Sequence, residues 1–91
     1  MNVLTLPSRL DLTEARGLTA ALLDRAGQDL TLDGEGVDHL GGLCAEVLVR
    51  GAARWRADGR TLRIEPRSPA FDAALDTFGI NLSQLLSEEA A

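Results

Sequence analysis

Apolar and polar residues alternate in two short segments, and a two-residue period is typical of a β-strand with one buried and one wet face. These segments are Leu30–Asp33 and Thr61–Glu65, and Val3–Leu6 predicts another strand near the start. Strands buried on both faces would instead read as continuous apolar runs. We therefore predict an α/β fold with a small mixed sheet and helices mainly on one face.

Apolar residues recur at helical spacing between these strands. The first helix is predicted to begin near Asp11 or Thr13, whose side chains can cap it, and to stop at Gly27. The longest predicted helix runs from about Leu43 to Ala57. Its apolar stripe is Leu40, Cys44, Val47, Leu48, Gly51 and Trp55.

A third helix is predicted to open at Ser68-Pro69, with serine as its N-cap and proline at its first position. Phe71, Leu75 and Phe78 are predicted to face inward, and Gly79 is predicted to end the helix. A last short helix follows, with Asn81 as its cap and Gln84 completing a capping box. Strand–helix–strand order implies parallel neighbouring strands, and 91 residues fit a single domain, 1–91.

The charge of the chain is acidic, with a net −5 at pH 7 and no lysine. Because an acidic domain repels phosphate backbones, we expect no binding to nucleic acid. The start lacks the basic and apolar regions of a signal peptide, and no stretch is long enough to span a bilayer, so we expect no membrane insertion. A single cysteine fits a reducing compartment, and we expect a cytoplasmic protein.

Candidate catalytic groups are few. His39 and Cys44, five residues apart, could form a nucleophilic pair near a helix N-terminus, but Cys44 also falls on the apolar stripe, where a buried thiol is ordinary. A lone histidine cannot build a zinc site, so we expect no metal. We also expect no cofactor and no enzyme activity. The loop at 33–36 lacks the Gly-Lys-Ser/Thr ending of a phosphate loop.

An arginine run is a candidate basic patch, or else a solvated face laced with acids. Its members are Arg50, Arg54, Arg56, Arg60, Arg63 and Arg67. Gly41-Gly42 is a second open question, because two glycines before a helix indicate either a simple loop or the close approach of another group.

The run from residue 3 to 80 resembles a STAS domain, the module of sulfate transporters and anti-sigma factor antagonists. Leu32-Asp33, the helix that ends at Asp58-Gly59, and Ser68-Pro69 are similar to the family's strand end, long helix and next helix cap. The resemblance implies protein recognition around the entrance of the long helix, in bacterial signalling or chemotaxis, often with a regulatory kinase. Some family members are small subunits of lipid-transport complexes.

The chain departs from the antagonist pattern at three places. Gly41 and Gly42 stand where that branch has Asp followed by a phosphorylatable Ser or Thr, so phosphorylation is absent at the usual site. The start is short by one strand, and the tail after Ile80 reads as helix where the family often adds a strand. Both features would leave sheet edges open to a partner or a second copy.

These observations predict a non-catalytic regulatory domain that binds a protein, possible partners being a kinase-type regulator, another signalling protein or a second copy. The alternatives are a small-ligand binder, a thiol enzyme or a small subunit of a transport complex. The predicted partner surface consists of Asp38, His39, Gly41, Gly42, Leu43, Glu46 and Arg50.

Overall fold

The computed structural model describes residues 2–87. This part of the chain contains five strands: β1 (Val3–Thr5), β2 (Arg9–Leu10), β3 (Leu30–Gly34), β4 (His39–Leu40) and β5 (Leu62–Arg67). Three α-helices connect or follow them: α1 (Ala15–Asp24), α2 (Gly42–Ala57) and α3 (Pro69–Phe78). Two 3-10 helices span Leu12–Glu14 and Leu82–Leu85.

The main sheet has the order β1-β3-β5, and both of its pairings are parallel. Leu32 pairs with Leu4 on one side and with Ile64 on the other, so the three share one face of the sheet. Leu32 and Ile64 are fully buried, whereas the alternate positions Arg63 and Glu65 are exposed. One face therefore carries the core and the other meets solvent, as the alternation predicts.

The helices cover the buried face. Leu18 and Leu22 of α1, Leu48 of α2 and Phe71 of α3 join the sheet residues in one apolar cluster. Trp55 of α2 lies in the same cluster, and its indole nitrogen donates to the Gln28 carbonyl at 2.7 Å. The predicted α/β class with helices mainly on one face is confirmed.

Local capping explains where the elements begin and end. The Asp11 carboxylate accepts from the Thr13 amide and caps the first 3-10 helix, which leads into α1. The Ser68 hydroxyl accepts from the Phe71 amide at 3.1 Å and caps α3, as predicted. Gly79 ends α3 at φ 69°, a left-handed conformation that glycine adopts without steric cost.

The structure differs from the sequence prediction at several elements. β2 and β4, two residues each, form a separate parallel pair that the pattern did not indicate. The last predicted helix is a 3-10 helix, and Ser87 beyond it makes an antiparallel bridge with Leu62. This bridge is the antiparallel component of the sheet within residues 2–87, and it covers part of the β5 edge that was expected to be open.

The position of Phe78 also differs from the prediction. It is 42% exposed rather than inward-facing, because it is the last residue of α3 and lies beyond the buried positions Phe71 and Leu75. Within residues 2–87 the structure contains no helix that is both long and apolar enough to cross a bilayer.

Candidate partner-binding site

The start of α2 is held by the short β2–β4 pair. The amides of Asp38 and His39 both donate to the Ser8 carbonyl, at 2.7 and 3.1 Å. Two residues further along both strands, the Gly41 amide donates to the Leu10 carbonyl at 2.8 Å. These bonds fix the chain where it turns from β4 into the helix.

Gly41 is explained by this close approach. A Cβ atom at Gly41 would lie 3.1 Å from the Leu10 carbonyl oxygen and 3.7 Å from Nε2 of His39. The first distance is shorter than ordinary van der Waals contact, so a side chain here would push the two chain segments apart. The group that approaches Gly41 is therefore the protein's own backbone.

Gly42 is different, because it is exposed and has room for a side chain. The nearest atoms to a Cβ there belong to the Phe78 ring, at 3.8 Å. Gly41, the N-cap of α2, has no side chain to bond the first amides, and the first turn holds no acidic residue. The N-terminus of α2 thus keeps the partial positive charge of its unpaired amides accessible.

Three exposed apolar residues belong to the elements that meet at this helix start. Leu43 is 45% exposed, Phe78 is 42% exposed, and Leu12, which opens the neighbouring 3-10 helix, is 74% exposed. The sequence pattern placed Phe78 in the core and assigned no role to Leu12. The spacing of apolar residues along the chain does not reveal that these two side chains are exposed. Only the tertiary structure brings their elements beside Leu43.

Polar groups border the apolar residues. Asp38 and His39 are exposed on one side, and Arg50 donates to the Glu46 carboxylate at 2.7 Å on the other. The predicted partner residues are thus all at least partly accessible, with Gly41 half-buried and the rest exposed. We define the entrance surface as Leu12, Asp38, His39, Gly41, Gly42, Leu43, Glu46, Arg50 and Phe78.

Cys44 lies beneath this surface rather than on it. It is 1% exposed, and its thiol donates to the Asp11 carbonyl at 3.3 Å. Burial raises the pKa of the Cys44 thiol, and the negative charges of Asp11 and Glu14 raise it further. The thiol therefore stays protonated at neutral pH, while His39 points to solvent; this geometry does not favour a Cys–His nucleophile.

Asp11 stabilises the segment that covers Cys44. Its Oδ1 accepts from the Thr13 hydroxyl at 2.7 Å, and this bond lowers the pKa of the Asp11 carboxyl, with smaller contributions from the Thr13 amide and Arg9. The carboxylate is thus occupied in capping the 3-10 helix, while the main-chain carbonyl of Asp11 accepts from the Cys44 thiol.

Acidic side chains pair with arginines of the run, as the interpretation of the run as a solvated face with interspersed acids predicted. Arg54 pairs with Asp58 at 3.4 Å, and Arg67 pairs with Asp72 at 2.9 Å. Arg56 donates to the Ser83 carbonyl. Four of the six arginines of the run, including Arg50 with Glu46, thus contact an acidic side chain or a backbone carbonyl.

A comparison with protein-family models gives one match, a family described as "Mlab, STAS domain", over residues 2–87. Neither the curated proteins nor the solved structures provide a match. The family match covers nearly the whole chain, including both strand pairs and the entrance surface.

Proposed function

The chain belongs to the STAS family, and from this premise we propose that it is a non-catalytic regulatory domain that binds a partner protein through the entrance surface. One observation carries the proposal. Three of the five large apolar side chains that are exposed in residues 2–87 belong to the elements around the α2 N-terminus. Exposed apolar residues with a polar rim are the usual composition of a protein-binding patch.

The helix terminus supports the same proposal. Unpaired amides at the start of α2 favour a carboxylate or another acceptor from a partner, and Gly42 lets that group approach without a side chain in between. The Glu46–Arg50 pair and His39 supply the polar rim. A partner therefore presents a hydrogen-bond acceptor at its centre and apolar residues around it.

We further propose that the domain acts as an adaptor of the anti-sigma factor antagonist type in bacterial signalling, inside the cytoplasm. Gly41 and Gly42 offer no hydroxyl where that branch is phosphorylated, so binding is not switched by phosphorylation at this place. The partner is a kinase-type regulator or another signalling protein. The resemblance also leaves open a small subunit of a transport complex, which would use the same surface on a different partner.

Gly42→Asp tests the proposal, with Gly17→Asp as its control. Both glycines are exposed helical residues with room for a side chain. At Gly42 the new acid complements the helix dipole and stabilises α2 by about 0.3–1 kcal/mol, but it adds bulk and negative charge where the partner's acceptor docks. The expected result is an unchanged or raised melting temperature together with at least tenfold weaker partner binding.

The partner is first captured from source lysate, identified by mass spectrometry, purified and titrated against each variant. Gly17→Asp should bind like the unmodified chain. A folded Gly42→Asp variant with undiminished affinity would show that the partner docks elsewhere. The identity of the purified partner, a signalling protein or a membrane-complex subunit, separates the two candidate pathways.

A further inference from the structure

A groove separates α1 from α2 on the outer side of the helical layer. It has a volume of about 300 Å³. Ala15 and Leu43, near the N-termini of the two helices, line a shallow extension at one end, and Ala26 and Trp55 line the opposite end. The two helices therefore run in the same direction, with the groove along their length.

The walls of the groove are mainly apolar. Leu23 of α1 is 58% exposed, and Leu43 and the half-buried Val47 of α2 line the same depression. Val47 belongs to the predicted apolar stripe of α2; it packs against the core cluster and also lines the groove. Leu23 and Leu43 are two of the five large apolar residues exposed in the described chain, so this surface is unusually apolar for the molecule.

Small residues keep the groove open. A Cβ atom on Gly51 would lie 3.1 Å from Cδ1 of Leu22, so α2 and α1 already touch at its floor. Thr19, Ala20 and Ala26 on the α1 side leave space above this contact. The helices therefore contact one another at the floor, and a groove of this kind between two helices can accept a third helix by ridge-into-groove packing.

The charged residues that line the groove are all cationic. They are Arg16 of α1 and Arg50 and Arg54 of α2, whereas the whole chain carries a net −5. Arg50 and Arg54 pair with Glu46 and Asp58 in exposed contacts, and such pairs contribute at most about 1 kcal/mol, so they exchange readily for a partner's carboxylates.

We propose that this groove binds an acidic amphipathic helix of a partner protein. The α2 wall from Leu43 to Arg54 spans about 16 Å, or three helical turns, which matches a docked helix of roughly 12 residues. Its apolar residues, spaced i, i+4, i+7 and i+11, would contact Leu23 and Val47. Its flanking carboxylates would pair with the three arginines.

A second copy of this chain fits the groove less well. Two grooves facing one another would bring the arginines of both copies together, and like charges at an interface oppose association. The helix-binding groove adjoins the entrance surface and shares Leu43 and Arg50 with it. The test therefore uses Leu23 and Arg16, which belong to the groove alone.

The experiment uses two synthetic 14-residue stapled helices with leucine at the four contact positions. One carries glutamate and the other lysine at the flanking positions. Binding to the full chain is measured by fluorescence anisotropy and mapped by amide chemical-shift changes. Leu23→Ala and Arg16→Glu are the groove variants, and Val3→Ala and Arg60→Glu are controls that make comparable changes at exposed residues outside both the groove and the entrance surface.

We expect the acidic helix to bind at least tenfold more tightly than the basic helix, with shift changes along α1 and α2. Each groove variant should weaken it at least fivefold, while both controls bind normally. Equal affinity for the two helices, no binding, or shifts confined to another surface would overturn the proposal. A dimer of the full chain that Leu23→Ala disrupts would overturn it as well, since the occupant would then be a second copy.

Discussion

The thiol of Cys44 illustrates how the position of one residue decides its chemistry. Sequence spacing allowed both a nucleophile near His39 and a buried core residue. The structure places the sulfur in the core, bonded to the Asp11 carbonyl, with a raised pKa caused mainly by burial. A protonated, inaccessible thiol has structural rather than catalytic value.

Alkaline titration provides a direct check on Cys44. Because its pKa is raised on folding, the unfolded chain loses the thiol proton first, and stability falls as pH rises above about 8.5 toward the folded pKa. The chain has no lysine and no tyrosine, the side chains besides cysteine whose ordinary pKa lies closest to this range. We expect Cys44→Ala to cost about 1 kcal/mol at pH 7 but to flatten the decline of unfolding free energy from pH 8 to 10.

The comparison is made by urea unfolding of both chains at several pH values, in which the N-terminal amine contributes equally. Parallel pH profiles for the two proteins, or rapid labelling of the folded chain by a mild thiol reagent, would contradict burial of the thiol.

At the scale of elements, residue spacing predicted the seven main segments but not the β2–β4 pair. A two-residue strand has no period to detect, and Arg9–Leu10 and His39–Leu40 become strands only because the fold places them side by side. Phe78 was misplaced for a related reason. Its spacing from Phe71 and Leu75 is helical, but the spacing does not reveal where the core ends.

The two glycines before α2 offer a matched pair of substitutions. Gly41→Ala should lower the unfolding free energy by about 1–3 kcal/mol, because its methyl group would crowd the Leu10 carbonyl that the Gly41 amide bonds. Gly42→Ala should raise it by about 0.4–1 kcal/mol, because the site has space and alanine restricts the unfolded chain.

Thermal and urea unfolding of the two variants side by side measures these opposite signs. Equal effects would mean that the β2–β4 contact does not constrain the helix start, and the entrance surface would then lack the rigid support described above.

At the scale of the whole molecule, one buried sheet face and a single layer of helices could be predicted from strand alternation, and the structure confirms both. The composition of the proposed partner surface could not be predicted in full, since Leu12 and Phe78 belong to elements far apart in sequence. The role of the tail was also hidden, because the Ser87 bridge to Leu62 is formed by two residues without a pattern of their own.

We expect the tail segment 81–87 to join the cooperative core, and Leu85 provides the test. Leu85 is fully buried in the second 3-10 helix, which packs on α2, and Ser87 just beyond it bonds Leu62 in both directions. Leu85→Ala should therefore lower the unfolding free energy by about 2–5 kcal/mol, while Leu82→Ala, at a half-buried position of the same helix, should lower it less.

Trp55, the single tryptophan, reports on α2 by fluorescence, and far-ultraviolet circular dichroism reports on all helices. In the Leu85→Ala variant both signals should shift together to lower urea concentration, because loss of the tail contact weakens the entire unit. Separate transitions for the two signals, or an unshifted tryptophan transition, would instead describe the tail as an appendage that unfolds on its own.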